Sequence, residues 1–459
     1  MKVIILGAGK VGSSVAENLV SERNDITVID IDPSLLTALQ ERLDLRVIAG
    51  SGTHISVLEA AGAQDADMLI ACTASDEVNL VACKVARQIF NVPQRIARIR
   101  SNEFVDQPDL IGTDGFGIDH LISPERSVTT YLHRLIEFPA ALQVVDFADG
   151  QVTMVLTKVT AGSSLVSRTV ESLISGLPGV NSHVLAVFRN DRAIEMQART
   201  LIAAEDELLF LLDTRHARRA MQELHRAGKA AHRIMIAGGG NIGLRLARAL
   251  SKEGYAVKLI EHNIKRCEQL SSSLPSSVLV LQGDATDENL LEDENVESID
   301  VFLALTNDDE DNIMSALLAK RMGALRVMAL IGRRAYGELM EGSRIDVAVA
   351  PDQATLGELL RYVRRGDVVA VHKLKRGSIE ALEAIAHGDA SSSRVVGRRL
   401  SQVKMPTGAS IGAVVRGDSI LMPHQDPVIE SEDHVIVLVT RRRLIPKVEQ
   451  LFQVSASFF

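Results

Sequence analysis

The stretch Lys2-Val3-Ile4-Ile5-Leu6-Gly7-Ala8-Gly9-Lys10-Val11-Gly12 decides the fold of this chain. It joins an apolar run to a G-x-G-x-x-G triplet, and an amphipathic segment follows. That order predicts a buried parallel strand, a tight turn and the start of a helix. The first glycine permits the turn, the second admits a pyrophosphate to the backbone, and the third lets helix and strand pack closely. The helix N-terminus then offers unpaired N–H groups to the phosphates.

The same kind of stretch occurs again from Arg233 to Gly243, and Gly238 lies 231 positions after Gly7. The second triplet reads Gly238-Gly239-Gly240-Asn241-Ile242-Gly243. Further residues recur at nearly the same offset, namely Asp30 as Glu261, Thr73 as Thr306, Asn79 as Asn312, Arg189 as Arg416 and Asp206 as Asp433. A nearly constant offset over most of the chain predicts a duplicated two-domain unit. We call the two halves the first and the second repeat.

The order of the predicted elements indicates the fold class. Short strands alternate with helices at the start of each repeat, which predicts a parallel, doubly wound sheet, and strands joined by polar turns follow. The expected fold is α/β, with two doubly wound parallel-sheet (Rossmann-like) domains, each followed by a small α+β domain. The predicted bounds are 1–123 and 232–348 for the nucleotide-binding domains, and 143–227 and 368–453 for the small domains.

Composition excludes several classes of protein. A net charge of −9 disfavours a nucleic-acid partner or a surface for anionic lipid. Every apolar run falls short of the ~18–20 residues that cross a bilayer, so we expect no direct membrane insertion. The three cysteines, Cys72, Cys83 and Cys267, form no C-x-x-C pair and are expected to be reduced core residues.

The first repeat carries a complete dinucleotide-binding pattern. Asp30 follows Gly12 by 18 positions, at the end of the second predicted strand. There its carboxylate is suited to accept hydrogen bonds from both ribose hydroxyls of an adenosine, and its charge repels a 2′-phosphate. The pattern therefore predicts NAD(H) rather than NADP(H). The alternative for Asp30 is a solvated acid at a strand end.

Two more groups are expected at the carboxyl edge of the first sheet. Thr73 and Ala74 follow the fourth predicted strand, where Thr73 could offer its hydroxyl and nearby amides to a diphosphate or a second ribose. Asp76 and Glu77 fit a ligand role and a helix N-terminal role equally well. Arg98 lies in the fifth strand and is expected to clamp a phosphate, the alternative being a structural ion pair.

The second repeat retains the glycines but differs around them. Glu261 stands at the ribose position, one methylene longer than Asp30, and Ala329 is expected to stand where the first repeat has Arg98. We therefore expect weaker binding, or a different nucleotide preference, in the second repeat. The chain has no Tyr-x-x-x-Lys pair, no plausible metal cluster and no motif of catalytic spacing, so we expect that it is not an enzyme.

These residues resemble the regulator-of-potassium-conductance (RCK, or KTN) family. The resemblance rests on the glycine loop, on Thr73-Ala74-Ser75-Asp76-Glu77-Val78-Asn79, on the small α+β module and on the tandem duplication. It implies a homo-oligomeric regulatory protein, held at the cytoplasmic side of the inner membrane by a potassium-translocating subunit of the TrkH or TrkG type. It also implies that the parallel-sheet domains bind NAD(H), or in some members ATP or ADP. The glycine loops, Asp30, Thr73-Ala74, Arg98 and Glu261 fall on the family's ligand positions.

Two other functions stay open at this stage. An NAD-dependent oxidoreductase would be recognised by turnover of a substrate. A soluble nucleotide sensor for another effector would be recognised by its partner.

Overall fold

A computed structural model describes residues 1–20, 24–175, 180–224, 231–340, 343–351, 357–360, 362, 368–375 and 378–453. The predicted domain bound at 227 lies outside these residues. The strands are β1 Lys2–Leu6, β2 Asp25–Asp30, β3 Arg46–Ala49, β4 Met68–Ala71, β5 Gln94–Arg98, β6 His120–Ile122, β7 Ala141–Phe147, β8 Val152–Lys158, β9 Ser182–Arg189, β10 Arg192–Ala193, β11 Glu207–Asp213, β12 Arg233–Ala237, β13 Ala256–Glu261, β14 Val278–Gln282, β15 Val301–Ala304, β16 Arg326–Leu330, β17 Val347–Val349, β18 Val368–Leu374, β19 Ile379–Ala386, β20 Ala409–Arg416, β21 Ser419–Leu421 and β22 Asp433–Val439.

Fifteen α-helices have both of their ends within the described residues, and residues 357–360 are helical as well. They are α1 Lys10–Val20, α2 Pro33–Gln40, α3 Ile55–Ala60, α4 Asp76–Gln88, α5 Asn102–Val105, α6 Pro108–Ile111, α7 Pro124–Glu137, α8 Val170–Ser175, α9 Thr214–Leu224, α10 Asn241–Lys252, α11 Ile264–Ser273, α12 Glu288–Asp293, α13 Asp309–Arg321, α14 Arg334–Leu339 and α15 Ile445–Phe452. None of the helices in this part of the chain combines the length and the apolar character that spanning a membrane requires.

Two six-stranded parallel sheets confirm the predicted fold class. Their strand orders are β3-β2-β1-β4-β5-β6 and β14-β13-β12-β15-β16-β17, so the order reverses beside β1 and beside β12. Helices cover such sheets on both faces, which explains why the central strands read as continuous apolar runs. Ligands of these folds bind at the carboxyl ends of the strands, at the point where the order reverses. The glycine triplets begin directly after β1 and β12.

Two five-stranded antiparallel sheets, β10-β9-β11-β8-β7 and β18-β19-β22-β20-β21, form the small domains. Side chains from both sheets share one hydrophobic core, in which Phe147, Met154 and Phe188 of one meet Leu374 and Ile436 of the other. β7 is not evident from the sequence, because Gln143 and Asp146 interrupt its apolar pattern. Only every third residue of β7 is fully buried.

Contacts divide the chain into two compact parts, one holding Met1–Val128 with Pro351–Leu359 and the other holding the rest. Each parallel sheet falls within one of these parts. The bounds of the four predicted domains remain predictions, and two strands pass slightly beyond them. β7 begins two residues before 143, and β17 ends one residue after 348.

Candidate nucleotide-binding sites

The first and second glycines of each triplet form an open turn. Gly7 and Gly238 have φ angles of +106° and +107°, a region that side-chain-bearing residues rarely adopt. A Cβ at Gly9 or at Gly240 would meet nothing within 4 Å. The backbone at both second glycines is therefore open to a ligand, as the motif requires. The next residue in each repeat begins a helix, α1 or α10.

The third glycine of each triplet is needed for packing rather than for the ligand. A Cβ at Gly12 would overlap the carbonyl oxygen of Gly7, and a Cβ at Gly243 would overlap that of Gly238. Because the clash is with backbone, it cannot be relieved by a side-chain rotation. Both helices therefore begin directly against the turn, which places the N-terminus of each helix beside its loop.

The two predicted ribose acids hold the glycine loops. Asp30 accepts hydrogen bonds from Ala8 N at 2.5 Å and from Asp32 N at 2.9 Å. Glu261 accepts from Gly239 N and from Asn263 N, both at 2.9 Å. Each carboxylate oxygen retains lone pairs for a further donor such as a ribose hydroxyl. These hydrogen bonds to backbone amides distinguish both residues from a solvated acid at a strand end.

A threonine–asparagine pair lies at the carboxyl end of β4 in the first repeat and of β15 in the second. Thr73 N and Oγ1 lie 3.0 and 2.8 Å from Asn79 Oδ1, and Thr306 repeats both contacts with Asn312 at 2.8 Å. Both Thr73 donors are therefore engaged, which leaves its hydroxyl oxygen as an acceptor. The predicted contact of Thr73 and Ala74 with a ligand remains a prediction.

The buried acid at the start of α4 has a structural role. Asp76 accepts hydrogen bonds from Arg100 N and Ser101 N, and Asp309 accepts from Gly332 N and Arg333 N. Each aspartate thereby fixes the loop that follows β5 or β16.

The structure corrects the residue paired with Arg98. Asn79 Nδ2 donates to the carbonyl of Arg98 at 2.8 Å, and Asn312 Nδ2 donates to that of Leu330 at 2.8 Å. Leu330 is thus the counterpart of Arg98, and the expectation of Ala329 at that place is wrong. The connection from α13 to β16 is one residue shorter than that from α4 to β5, which shifts the offset within the repeat.

Positive charge is consequently found beside the first site but not at the equivalent place in the second. Arg98 and Arg100 correspond to Leu330 and Gly332. The Nε atoms of both arginines are buried without a hydrogen-bond partner. Burial, together with Arg100, lowers the pKa of the Arg98 guanidinium. An anion would relieve both effects, because it would supply acceptors and an opposite charge.

The second site has a cation at a different place, on a residue that is not among the predicted site residues. Arg266 Nε donates to the carbonyl of Gly239 at 2.8 Å. It is the third residue of α11, and the third residue of α2 is Leu35, which is 41% exposed. The signal was available in the aligned repeats, where Leu35 and Arg266 differ by the same offset as the glycines.

The cysteines are buried and unpaired, as predicted. Cys72 lies beneath the first glycine loop, and a Cβ at Gly12 would lie 3.2 Å from its sulfur. Burial raises the pKa of the Cys72 thiol to about 12, and that of Cys83 likewise, so both are neutral. A neutral thiol fills the space under the loop without repelling a phosphate.

One group of metal-ligand type occurs among the described residues. His133, Glu137 and Glu253 place ligand atoms within 4.8 Å of one another. The two oxygens of Glu137 accept hydrogen bonds from Arg134 and from Arg218. Two guanidinium groups therefore stand beside the position that a cation would take.

The comparisons with known proteins agree with this geometry. Residues 3–124 and 234–351 match the family model of the TrkA-N domain, and residues 389–453 match that of the TrkA-C domain. Proteins named Trk system potassium uptake protein TrkA, from Vibrio alginolyticus and Halomonas elongata, are each 50% identical over 459 residues, covering all of both chains.

Solved structures with the same fold include the GsuK channel bound to NAD and GsuK bound to ADP. The first has a TM-score of 0.61 at 19% identity and covers 98% of this chain and 78% of that chain. The second has a TM-score of 0.50 at 16% identity and covers 79% of this chain and 69% of that chain. At these identities the likeness shows the fold alone. The family is shown by the full-length relatives and the three matched stretches: the chain belongs to the TrkA family.

Proposed function

We propose that this chain is the regulatory, nucleotide-sensing subunit of a Trk-type potassium uptake system. In this proposal it is a peripheral homo-oligomer on the cytoplasmic side of the inner membrane. It gates a membrane-embedded, potassium-translocating subunit of the TrkH or TrkG type according to the NAD(H), ATP or ADP that it binds, and it catalyses no reaction. The observation that carries the proposal is the end-to-end match to TrkA relatives of a chain with two open glycine loops.

The first site is proposed to bind NAD(H) across the carboxyl ends of β1, β2, β4 and β5. Its residues are Gly7, Ala8, Gly9, Lys10, Val11, Gly12, Asp30, Thr73, Ala74 and Arg98, to which the structure adds Arg100. The loop binds the diphosphate, and Asp30 binds the adenosine ribose. Arg98 and Arg100, at the end of β5, neutralise the negative charge of the ligand. A GsuK channel of the same fold has been solved with NAD.

The second site is proposed to bind an adenine nucleotide mainly through its adenosine end. Its residues are Gly238, Gly239, Gly240, Asn241, Ile242, Gly243 and Glu261, to which the structure adds Arg266. Leu330 and Gly332 supply no charge at the end of β16. The distal phosphates or the second nucleoside of a ligand therefore contribute less binding free energy there. The expected preference is for a shorter ligand such as ADP.

A bound nucleotide that is not consumed acts only through different affinities for two conformations of the protein. Shifting a gate from 1:99 to 99:1 takes about a 10⁴-fold difference, or ~5.5 kcal/mol. Two sites of about 100-fold each would together supply that difference. With two sites in each chain, and several chains in an oligomer, nucleotide binding therefore supplies enough free energy to control a channel.

The test is rubidium or potassium flux into vesicles that contain a TrkH- or TrkG-type subunit, with and without this chain and NADH, NAD, ATP or ADP. We expect flux to depend on both the chain and the nucleotide, and deletion of the chain to impair potassium uptake by cells. Flux indifferent to both would exclude the proposal, and steady consumption of NADH would favour an oxidoreductase instead.

Matched aspartate substitutions identify the loops as the cause. Gly9→Asp and Gly240→Asp each place bulk and negative charge on the open side of the loop, where the phosphates would lie, so each should uncouple its site from flux. Gly162→Asp introduces the same side chain at an exposed position with nothing within 4 Å of its Cβ, and it should behave as wild type.

A further inference from the structure

The guanidinium of Arg326 is buried and bonded to backbone carbonyls. Arg326 is the first residue of β16 and is only 8% exposed. It donates to the carbonyl oxygens of Leu135 at 2.7 Å, of Phe138 at 3.2 Å and of Ala141. These three carbonyls belong to the last turn of α7, the following turn and the first residue of β7. We call residues 135–141 the α7–β7 corner.

The chemistry explains why an arginine occupies this position. The last carbonyls of an α-helix have no partner within the helix, and they form the negative end of its dipole. A planar guanidinium carries five N–H donors, so one side chain satisfies carbonyls that point from three directions. The nearby carboxylate of Asp346 is engaged by Lys320 Nζ at 2.8 Å and by Val327 N at 2.7 Å. The corner is therefore held to β16 by the guanidinium and its carbonyl partners.

The other end of β16 lies at the candidate second site. Leu330 ends the strand, and its carbonyl is bound by Asn312, which also holds Thr306 at the sheet's carboxyl edge. A strand of five residues spans about 13 Å between its terminal Cα atoms, at ~3.3 Å per residue. One short, fully buried strand thus joins the site's edge to the corner that leads into the first antiparallel sheet.

We propose that Arg326 is a positioning residue, through which the second nucleotide site controls the α7–β7 corner. The inference rests on the proposed function, since it requires a nucleotide in the second site. Ligand binding at the carboxyl edge of β12 and β13 shifts the whole parallel sheet, including β16, as a rigid element, and the Arg326 guanidinium carries the corner with it. The first repeat has no arginine at this position, because the residue that corresponds to Arg326 is Gln94.

The experiment uses the full chain with Gly9→Asp, so that only the second site binds. Hydrogen exchange of the amides in residues 135–141 is measured with and without saturating NADH or ADP, and affinity is measured separately by calorimetry. In the parent protein, nucleotide should slow exchange at the corner by about threefold or more. With Arg326→Gln, affinity should stay within about threefold, while the nucleotide-dependent change at the corner disappears.

Arg95→Gln is the matched control. Arg95 is 6% exposed, and it bonds Asp119 Oδ1 at 2.8 Å and the Gly117 carbonyl at 2.5 Å, both within the first parallel-sheet domain. It should lower stability as a buried arginine does, yet leave the response at the corner intact. If Arg326→Gln fails to fold, Arg326→Lys takes its place, since a lysine retains the charge but not the planar fork of donors.

The outcomes separate the two proposals. A nucleotide response that survives at the corner in the Arg326 variant, or that is lost equally in Arg95→Gln, overturns the role of Arg326. Binding without any change at the corner in the parent protein overturns it as well, and leaves the proposed function standing. Absence of nucleotide binding in the parent protein overturns nucleotide sensing by the second site, and this inference with it.

Discussion

The amide of Gly239 donates to Oε2 of Glu261 at 2.9 Å, and a Cβ at position 239 would lie 3.0 Å from that same oxygen. In the first repeat the corresponding pair is Ala8 and the shorter Asp30, whose Oδ2 accepts a hydrogen bond from Ala8 N at 2.5 Å. A longer acid thus stands beside a glycine, and a shorter acid beside an alanine. In each repeat the length of the acid matches the size of the loop residue beside it, because the carboxylate must reach the loop amide without overlapping that residue.

Gly239→Ala should therefore damage the second site. The new methyl would press on Glu261 and on Leu270, and overpacking of this kind costs about 1–3 kcal/mol. Urea unfolding should show the loss of stability, and calorimetry a weaker affinity for ADP. Adding Glu261→Asp, which restores the pair found in the first repeat, should recover part of both, since the contact with Leu270 remains. A single variant as stable as wild type would show that the fit is not required.

Asp30→Ala should weaken NADH binding at the first site. Removing charge-assisted hydrogen bonds costs about 1.5–3 kcal/mol, which corresponds to about 10- to 100-fold in affinity. The titration is done by calorimetry in a Gly240→Asp background, so that only the first site contributes. Asp25→Ala, at the exposed opposite end of β2, is the control and should bind as the parent does. Unchanged affinity in Asp30→Ala would remove this residue from the site.

Exchanging the residues at the ends of β5 and β16 should exchange the preferences of the sites. Arg98→Leu should reduce NADH affinity at the first site by about tenfold or more, because a charge-assisted contact is lost. Leu330→Arg should raise the affinity of the second site for ligands with more phosphate charge. Calorimetry with NADH, ADP and ATP measures both effects, each with the other loop blocked. Identical preferences in the two wild-type sites would contradict the assignment.

Acid should destabilise the shared core of the two antiparallel sheets. His372 packs edge-on against Phe147, with ring centroids 4.9 Å apart, and burial lowers its pKa to about 4. The unfolded imidazole, with a pKa near 6.5, binds a proton more readily, so stability falls as pH decreases from about 6.5 to 4. This histidine alone contributes up to about 3 kcal/mol to that fall.

His372→Leu should therefore flatten the dependence of unfolding free energy on pH over that range. The measurement is urea unfolding at several pH values between 7 and 4, in wild type and in the variant. His54→Leu, which removes an exposed histidine, is the matched control. Equal slopes in wild type and His372→Leu would show that another group titrates.

The sequence predicted the parallel sheets well because their signals are local. An apolar run, three glycines and an acid at a fixed distance lie within about 30 residues, and each has its own steric or hydrogen-bonding reason. The repeat offset then transferred the prediction to the second half. The same offset failed at Arg98, where one residue is missing between α13 and β16. The strand registers and the hydrogen bond of Asn312 to Leu330 identify the true counterpart.

By itself, then, the sequence determined two nucleotide-type loops, the acids beside them and the order of the elements, because backbone conformation and apolar periodicity are set by neighbours in the chain. Only the tertiary structure decided which charges meet those loops and what joins them to the rest. Arg266 reaches Gly239 across 27 positions, and Arg326 reaches Leu135 across 191. Such contacts depend on how packed elements bring distant backbone together, and no local pattern encodes that distance.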